Sequence, residues 1–448
     1  QMQSLYDAKL AAYTQMKNIA PQTSNFVQLL NDVPKTDNDR IDNQLLFELY
    51  CGRTDILITE DRKMRIKAEK LGLADKVFTI NAFISKAASE NPALIDYKAL
   101  SVRKETFGNI DVSNPFFDTF REAYPGFEQW FSKKCDEEAY ICRSDKKEIL
   151  GFLYLKTEDE RENYSDIAPV FEPKRRLKVG TFKVEATGFR LGERFIKIIF
   201  DNAIERNLDE IYVTPFMDRP ELQALYDLLI RWGFFDYGIK HSNGREEKVL
   251  VKKLGHYNEF NNVISNFPNL KANSNKMILP IFPQFHTSLF PDSKLNNEVE
   301  YIANIPHRYA LQKVYVSWAP ENNINPGDLI LFYRTGETAP KKYSSVLTTV
   351  GVVNEVISSF TSEEDFLQQC QNRSVFSTGE LKDFWNKNRY NLKILKFIYV
   401  KSLTKRLTLE YLWNHNIIDP PSGPRPFTRL TDSQFNMILR DSNTKLYI

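Results

Sequence analysis

Between Leu191 and Asn207 the apolar residues Phe195, Ile198, Ile199 and Ile204 recur at helical spacing, leaving Glu193, Lys197, Asp201 and Glu205 on the other side. The stretch LGERFIKIIFDNAIERN therefore predicts an amphipathic helix with one face on a sheet and the charged set outside. Around it lie strand patterns at ALSVRKETF, LKVGTFKVE, EIYVTPF and EKVLVKKL and helical patterns at FFDTFREAY, FEQWFSKK and ELQALYDLLIRWG. EAYICRSDKKEILGFLYLK predicts a hairpin whose loop is the charged SDKKE turn. Upstream, to about Ser89, helices at LYDAKLAAYTQM, RIDNQLLFELYCG and DRKMRIKAEKLGL are punctuated by strands DILIT and KVFTI. Gly52 and Gly72 sit just past helix ends, where a left-handed residue is wanted. From about Met277 the runs MILPIFP, KVYVSWA, GDLILFYRTG, SVLTTVGVVNEVI and NLKILKFIYV, broken by Pro and Gly turns, predict a small barrel with accessory helices. The polar, asparagine-rich HYNEFNNVISNFPNLKANSNK predicts a linker.

This divides the chain into an α/β segment 1–95, an α+β segment 98–255, a linker 256–276 and a β-rich segment 277–448. A length of 448 residues calls for more than one core. Composition adds little beyond a folded protein: 42% hydrophobic, 26% charged, and 60 basic against 58 acidic side chains, so global charge points to no polyanion. No apolar run reaches the roughly 18 residues of a membrane helix. Cys51, Cys135, Cys142 and Cys370 lie far apart without a CxxC, which argues against a zinc knuckle or a disulfide framework and fits a reducing cytoplasm. The chain opens on Gln1 with no secretory h-region behind it, which leaves room for residues preceding it in a longer product.

The candidate chemistry begins at KVEATGFRLGERF. A glycine-bearing turn opening a helix presents backbone N–H groups and the positive end of a helix dipole, an anion site in principle. With its flanking strands, the following helix–strand–helix–strand order and the Gly233-Phe234 pair after ELQALYDLLIRWGF, the middle segment resembles the GNAT acetyltransferases. The resemblance implies a mixed sheet with helices on both faces and an acetyl-CoA diphosphate held by Thr187, Gly188, Phe189, Arg190, Leu191, Gly192 and Glu193. Of the family's Gln/Arg-x-x-Gly-x-Gly/Ala turn only Gly192 matches cleanly; Thr187 stands at the first polar position and Arg190 at the first glycine. A guanidinium at 190 is itself a good phosphate partner. Glu185, at the end of the strand that would diverge around the pantetheine, is the candidate general base. The family's usual tyrosine position holds Leu229, so Tyr226, one turn earlier, is the candidate general acid.

NDRIDNQLLFELYCGRTDILITEDRKM resembles the closing half of a PIN-domain nuclease. The resemblance places Asp42 and Asp61, with Asp39 one turn before Asp42, as ligands of Mg²⁺ or Mn²⁺ at the carboxyl ends of parallel strands. The opening strand and helix of that family, each with a further acid, do not precede these residues. All three aspartates also suit helix N-termini. GDLILFYRTG, GVVNEV and FTRLTDSQFNMIL resemble the PUA-like superfamily in its EVE and ASCH branches, which implies a barrel that binds RNA or a modified base. Arg308, Trp318, Tyr333 and Arg334 supply the stacking and cationic chemistry for that role. His286, His307 and His415 share no spacing and read as structural.

Together these readings lead to an acetyl-CoA-dependent N-acetyltransferase directed to RNA or an RNA-associated amine, with the association of parts suggesting a toxin or stress effector and an antitoxin-like partner. The alternative is an RNA-binding effector with metal-dependent ribonuclease activity, in which the middle segment senses CoA or serves as scaffold.

Overall fold

The computed structural model describes residues 18–80, 83, 101–186, 190–217, 219–242, 244–293, 306–321, 323–337, 340–371 and 373–448. They belong to two compact units, 1–87 and 88–448.

In the first unit three helices, α1 (Ser24–Leu30), α2 (Asp37–Tyr50) and α3 (Arg62–Lys70), accompany two short parallel strands, β1 (Leu57–Ile58) and β2 (Val77–Phe78). Phe26, Leu46, Phe47, Met64 and Ala68 form its core. Thr36 and Asp39 make a capping box at α2, and Asp61 caps α3. The helix expected at LYDAKLAAYTQM lies outside the described residues.

The second unit carries two sheets. The first is eight-stranded, in the order β3 (Arg103–Thr106), β4 (Glu138–Arg143), β5 (Ile149–Glu158), β7 (Arg176–Val184), β8 (Glu210–Val213), β10 (Arg245–Lys253), β9 (Phe235–Ser242), β6 (Ile167–Ala168). Short helices α4 (Asp118–Ala123) and α5 (Phe127–Ser132) precede the β4–β5 hairpin. Only β7 and β8 pair in parallel, which requires a crossover between them. Helix α6 (Leu191–Glu205) is that crossover, and α7 (Pro220–Arg231) follows β8. Strand β9 escapes the sequence reading, although Asn243-Gly244 between two β-rich runs is a hairpin signal.

The second sheet is six-stranded, in the order β12 (Gln312–Ser317), β15 (Lys393–Thr408), β14 (Val346–Ile357), β13 (Leu329–Arg334), β11 (Lys276–Ile281), β16 (Thr428–Leu430). The expected barrel is not closed among the described residues: β12 and β16 are edges, and β16 offers only three residues before the chain turns into a helix at Asp432.

The largest apolar cluster reaches into both sheets, beside smaller clusters that belong to one sheet each. Ile199, Phe200, Trp232 and Phe234 from the first side join Met277, Leu331, Phe397 and Ile438 from the second in a single cluster. Part of the segment 256–276, expected as a linker, packs into it: Phe267 and Leu270 are buried with that cluster, and the side chains of Asn266 and Asn269 bond to the backbone of Asn258, Gly255 and Lys253. Asn266 and Asn269 satisfy buried main chain, while Asn258, Asn261, Asn262, Asn273 and Asn275 are exposed.

Candidate cofactor site

Strand β7 pairs with β8 only from Arg176↔Glu210 to Val179↔Val213. Beyond that point β7 continues along β5 to Val184, skipping Gly180 in the ladder. The chain after Val213 instead stays with β10, where Lys248 N–H donates to the Pro215 carbonyl at 2.9 Å. The two parallel strands thus part company in mid-sheet, and the gap opens toward the turn that enters α6. Gly180 is a packing requirement, since a Cβ there would lie 2.7 Å from the Tyr154 ring.

At that turn Arg190 adopts a left-handed backbone (φ 54°) as the N-cap of α6, and among the described residues no side chain caps the helix. An uncapped N-terminus leaves first-turn N–H groups for an external acceptor. Among the described residues the buried Nε–H of Arg190 has no hydrogen-bond partner. On both observations the turn fits an anion of diphosphate type. Thr187, Gly188 and Phe189 lie outside the described residues. Leu191 is buried in the core, and Gly192 lets α6 approach α7 closely: an added Cβ would stand 3.1 Å from Leu228 Cδ2.

Glu193 departs from the sequence reading, which put it among the outward-facing charges. Its carboxylate is buried: Oε1 meets Arg190 Nη1 at 3.0 Å and Arg373 Nη2 at 3.2 Å, and Oε2 accepts the N–H of Leu311 at 2.9 Å and of Gln312 at 3.4 Å. Burial alone would raise its pKa, but Arg373, Arg190, Arg231 and the Leu311 N–H outweigh it and hold the carboxyl down at about 2. Its backbone N–H still belongs to the first turn. Lys197 is likewise buried, ion-paired with the half-buried Asp201 and 4.7 Å from the Tyr399 ring centre. Residues from the second-sheet segment cover the start of the face that periodicity assigned to solvent, while Glu205 at its far end stays exposed.

Glu185 directly follows β7, exposed, with Lys183 Nζ at 2.6 Å. Tyr226 donates its hydroxyl to Asp236 Oδ2 at 2.8 Å, with Lys248 Nζ 4.6 Å from its ring centre. The bond to Asp236 and then burial raise its pKa, so the phenol stays protonated at neutral pH. Leu229 is fully buried and Gly233-Phe234 closes a helix terminus: Gly233 N–H donates to Ile230 and Phe234 N–H to Leu229, with Gly233 at φ 81°.

The three proposed metal ligands do not converge. Asp39 Oδ2 accepts from the N–H of Lys35 and Thr36, Asp61 Oδ1 from those of Lys63 and Met64, and Asp42 stands on α2 away from either cap. Among the described residues no group of three or more His, Cys, Asp or Glu side chains is placed to hold a metal ion. Dipole stabilisation of helix N-termini accounts for Asp39 and Asp61, so the residues present do not fit the metal. The expected reader surface is also mostly interior. Arg308, Tyr333 and Arg334 are buried, Arg334 lying 3.2 Å from Glu337, and only Trp318, 49% exposed with its ring against Phe384, faces solvent. Every residue of β13 is buried, so Tyr333 and Arg334 belong to the interior.

No family model matches the chain. No curated protein matches it either. Solved structures that resemble parts of it include ASCH from Zymomonas mobilis, at 11% identity over 37% of this chain and 94% of that one, with a TM-score of 0.26. A putative acetyltransferase from Acinetobacter baylyi ADP1 matches at 12% identity over 35% of this chain and 93% of that one, TM-score 0.25. The NatC complex bound to Gag peptide and CoA matches at 16% identity over 34% of this chain and 99% of that one, TM-score 0.23. Likeness at this level carries no weight for function. Among the described residues no helix is long and apolar enough to cross a membrane.

Proposed function

We propose that the first sheet of the large unit binds acetyl-CoA and that the protein is an N-acetyltransferase. The observation that supports this most is the parting of β7 from β8 after Val179 and Val213, beside a helix N-terminus without a side-chain cap and next to an Nε–H of Arg190 without a partner among the described residues. Arg190, Leu191, Gly192 and Glu193 hold the diphosphate through backbone N–H groups and the Arg190 guanidinium. When bound, acetyl-CoA supplies the activated acetyl group. Glu185, exposed at the mouth of the gap, accepts the proton that an acceptor ammonium must lose before it becomes nucleophilic. Tyr226 keeps its proton at neutral pH and is the donor on the α7 side; its bond to Asp236 must be exchanged for one to the leaving thiolate.

The finer reading directs transfer to RNA or an RNA-associated amine, in a toxin or stress role in the cytoplasm. Its support is the exposed Trp318 and the free thiols of Cys51 and Cys135. Titration calorimetry with CoA and acetyl-CoA tests the core of the proposal. Wild-type protein is expected to bind both, and Arg190→Gln to bind them at least about tenfold more weakly, the equivalent of one charge-assisted hydrogen bond. Equal affinity in the two proteins would remove the turn from the site.

A further inference from the structure

Helix α6 begins in the turn assigned to the diphosphate, yet all partners of its third residue except Arg190 come from the segment that carries the other sheet. Glu193 Oε2 accepts from the backbone of Leu311 and Gln312, and Oε1 faces Arg373, which is 180 residues away in sequence. Arg373 is fixed in its own right. Nη1 donates to the Gln312 carbonyl at 2.6 Å, and its carbonyl accepts the N–H of Val314 at 3.2 Å. One guanidinium therefore ties β12 to the first turn of α6. All the lone-pair directions of Glu193 are used, so its charge is matched within the protein.

That matching matters for a diphosphate. An ionised carboxylate in the first turn of α6 repels an incoming polyanion unless a cation offsets it. Two arginines share the task, Arg190 at 3.0 Å and Arg373 at 3.2 Å. With Arg373 in place, Arg190 needs to spend only one Nη on Glu193 and keeps its Nε–H for a ligand. Without Arg373, the buried carboxylate draws Arg190 inward and its residual charge lies under the phosphate turn.

We propose that Arg373 is a positioning residue for the cofactor turn, acting through Glu193, so that the second sheet is a working part of the acetyl-CoA site and not an attached module. This rests on the acetyl-CoA reading above. It adds that affinity for the diphosphate depends on a residue outside the acetyltransferase-like segment.

The test is titration calorimetry on the full chain with CoA and, as a probe lacking the diphosphate, pantetheine. Arg373→Gln is expected to weaken CoA binding by about tenfold or more and to leave pantetheine binding unchanged. Arg373→Lys, which retains the charge, is expected to stay within about threefold of wild type. The double variant Glu193→Gln/Arg373→Gln removes both charges and is expected to recover most of the CoA affinity; it also serves if the single variant does not fold. A folded Arg373→Gln that binds CoA as tightly as wild type overturns the inference, as does a folded double variant that recovers nothing. Equal losses for CoA and pantetheine overturn it too, since they would mean general disruption. Failure of the wild-type chain to bind CoA is a different result, and it would bring down the acetyl-CoA reading itself.

Discussion

Glu193 concentrates the energetics of the large unit in one carboxylate. Its pKa lies at about 2 in the folded chain against an ordinary value of 4.5. A group whose pKa is depressed by folding contributes stability above its unfolded pKa, and loses it as pH falls through that value toward the folded one. The difference amounts to about 3 kcal/mol. Denaturant unfolding between pH 6 and pH 3 should therefore show a steep loss of stability below pH 4.5 in wild type, and a shallower one in Glu193→Gln. At pH 7 Glu193→Ala should cost about 3 to 5 kcal/mol, because it strands Arg373 and two backbone N–H groups inside the protein. A cost under about 1 kcal/mol would mean that the four contacts are not made in solution.

Among the elements, α7 and its terminus separate a structural requirement from a functional one. The Gly233-Phe234 pair that helped suggest the acetyltransferase resemblance is explained by backbone geometry. Gly233 lies at φ 81°, and an added Cβ would stand 1.9 Å from the Ser265 carbonyl oxygen. Gly233→Ala should lower stability by about 2 kcal/mol or more, through strain at positive φ together with displacement of the 263–266 helical turn. Thermal denaturation measures it, and an unchanged midpoint would refute the close approach. Gly192 is also explained by packing, here against Leu228, so its presence alone says nothing about phosphate. The open first turn and Arg190 carry that reading.

Across the whole molecule, the shared apolar cluster predicts cooperativity between segments that look like separate modules. Ile199 and Trp232 pack in the same cluster as Met277 and Phe397, and Tyr447 donates its hydroxyl to the carbonyls of Ala203 and Leu208, joining the end of the chain to the end of α6. Calorimetry should show one transition for the unit spanning 88–448 and a distinct one for the first unit, whose core is separate. Gly233→Ala should then reduce amide-exchange protection in β14 as much as in β10. Protection lost in β10 alone would mean that the two sheets unfold independently.

The amino-acid sequence by itself determined most of the strands and helices, the glycine at the end of α7 and the polar turn before α6. These are local matters: the spacing of apolar side chains and the demand for positive φ are written within a few residues. It also offered Asp39 and Asp61 as metal ligands, which helix capping claims instead, and read 256–276 as a linker because asparagines look hydrophilic whichever partner they find. Tertiary structure alone decided that Glu193 and Lys197 are internal, that the second sheet is open among the described residues, and that the largest apolar cluster reaches into both sheets. Periodicity records which side chains must leave water, but a charged residue can be buried as well when its counter-ions arrive from elsewhere. The partner of Glu193 is 180 residues distant, and no pattern near residue 193 encodes it.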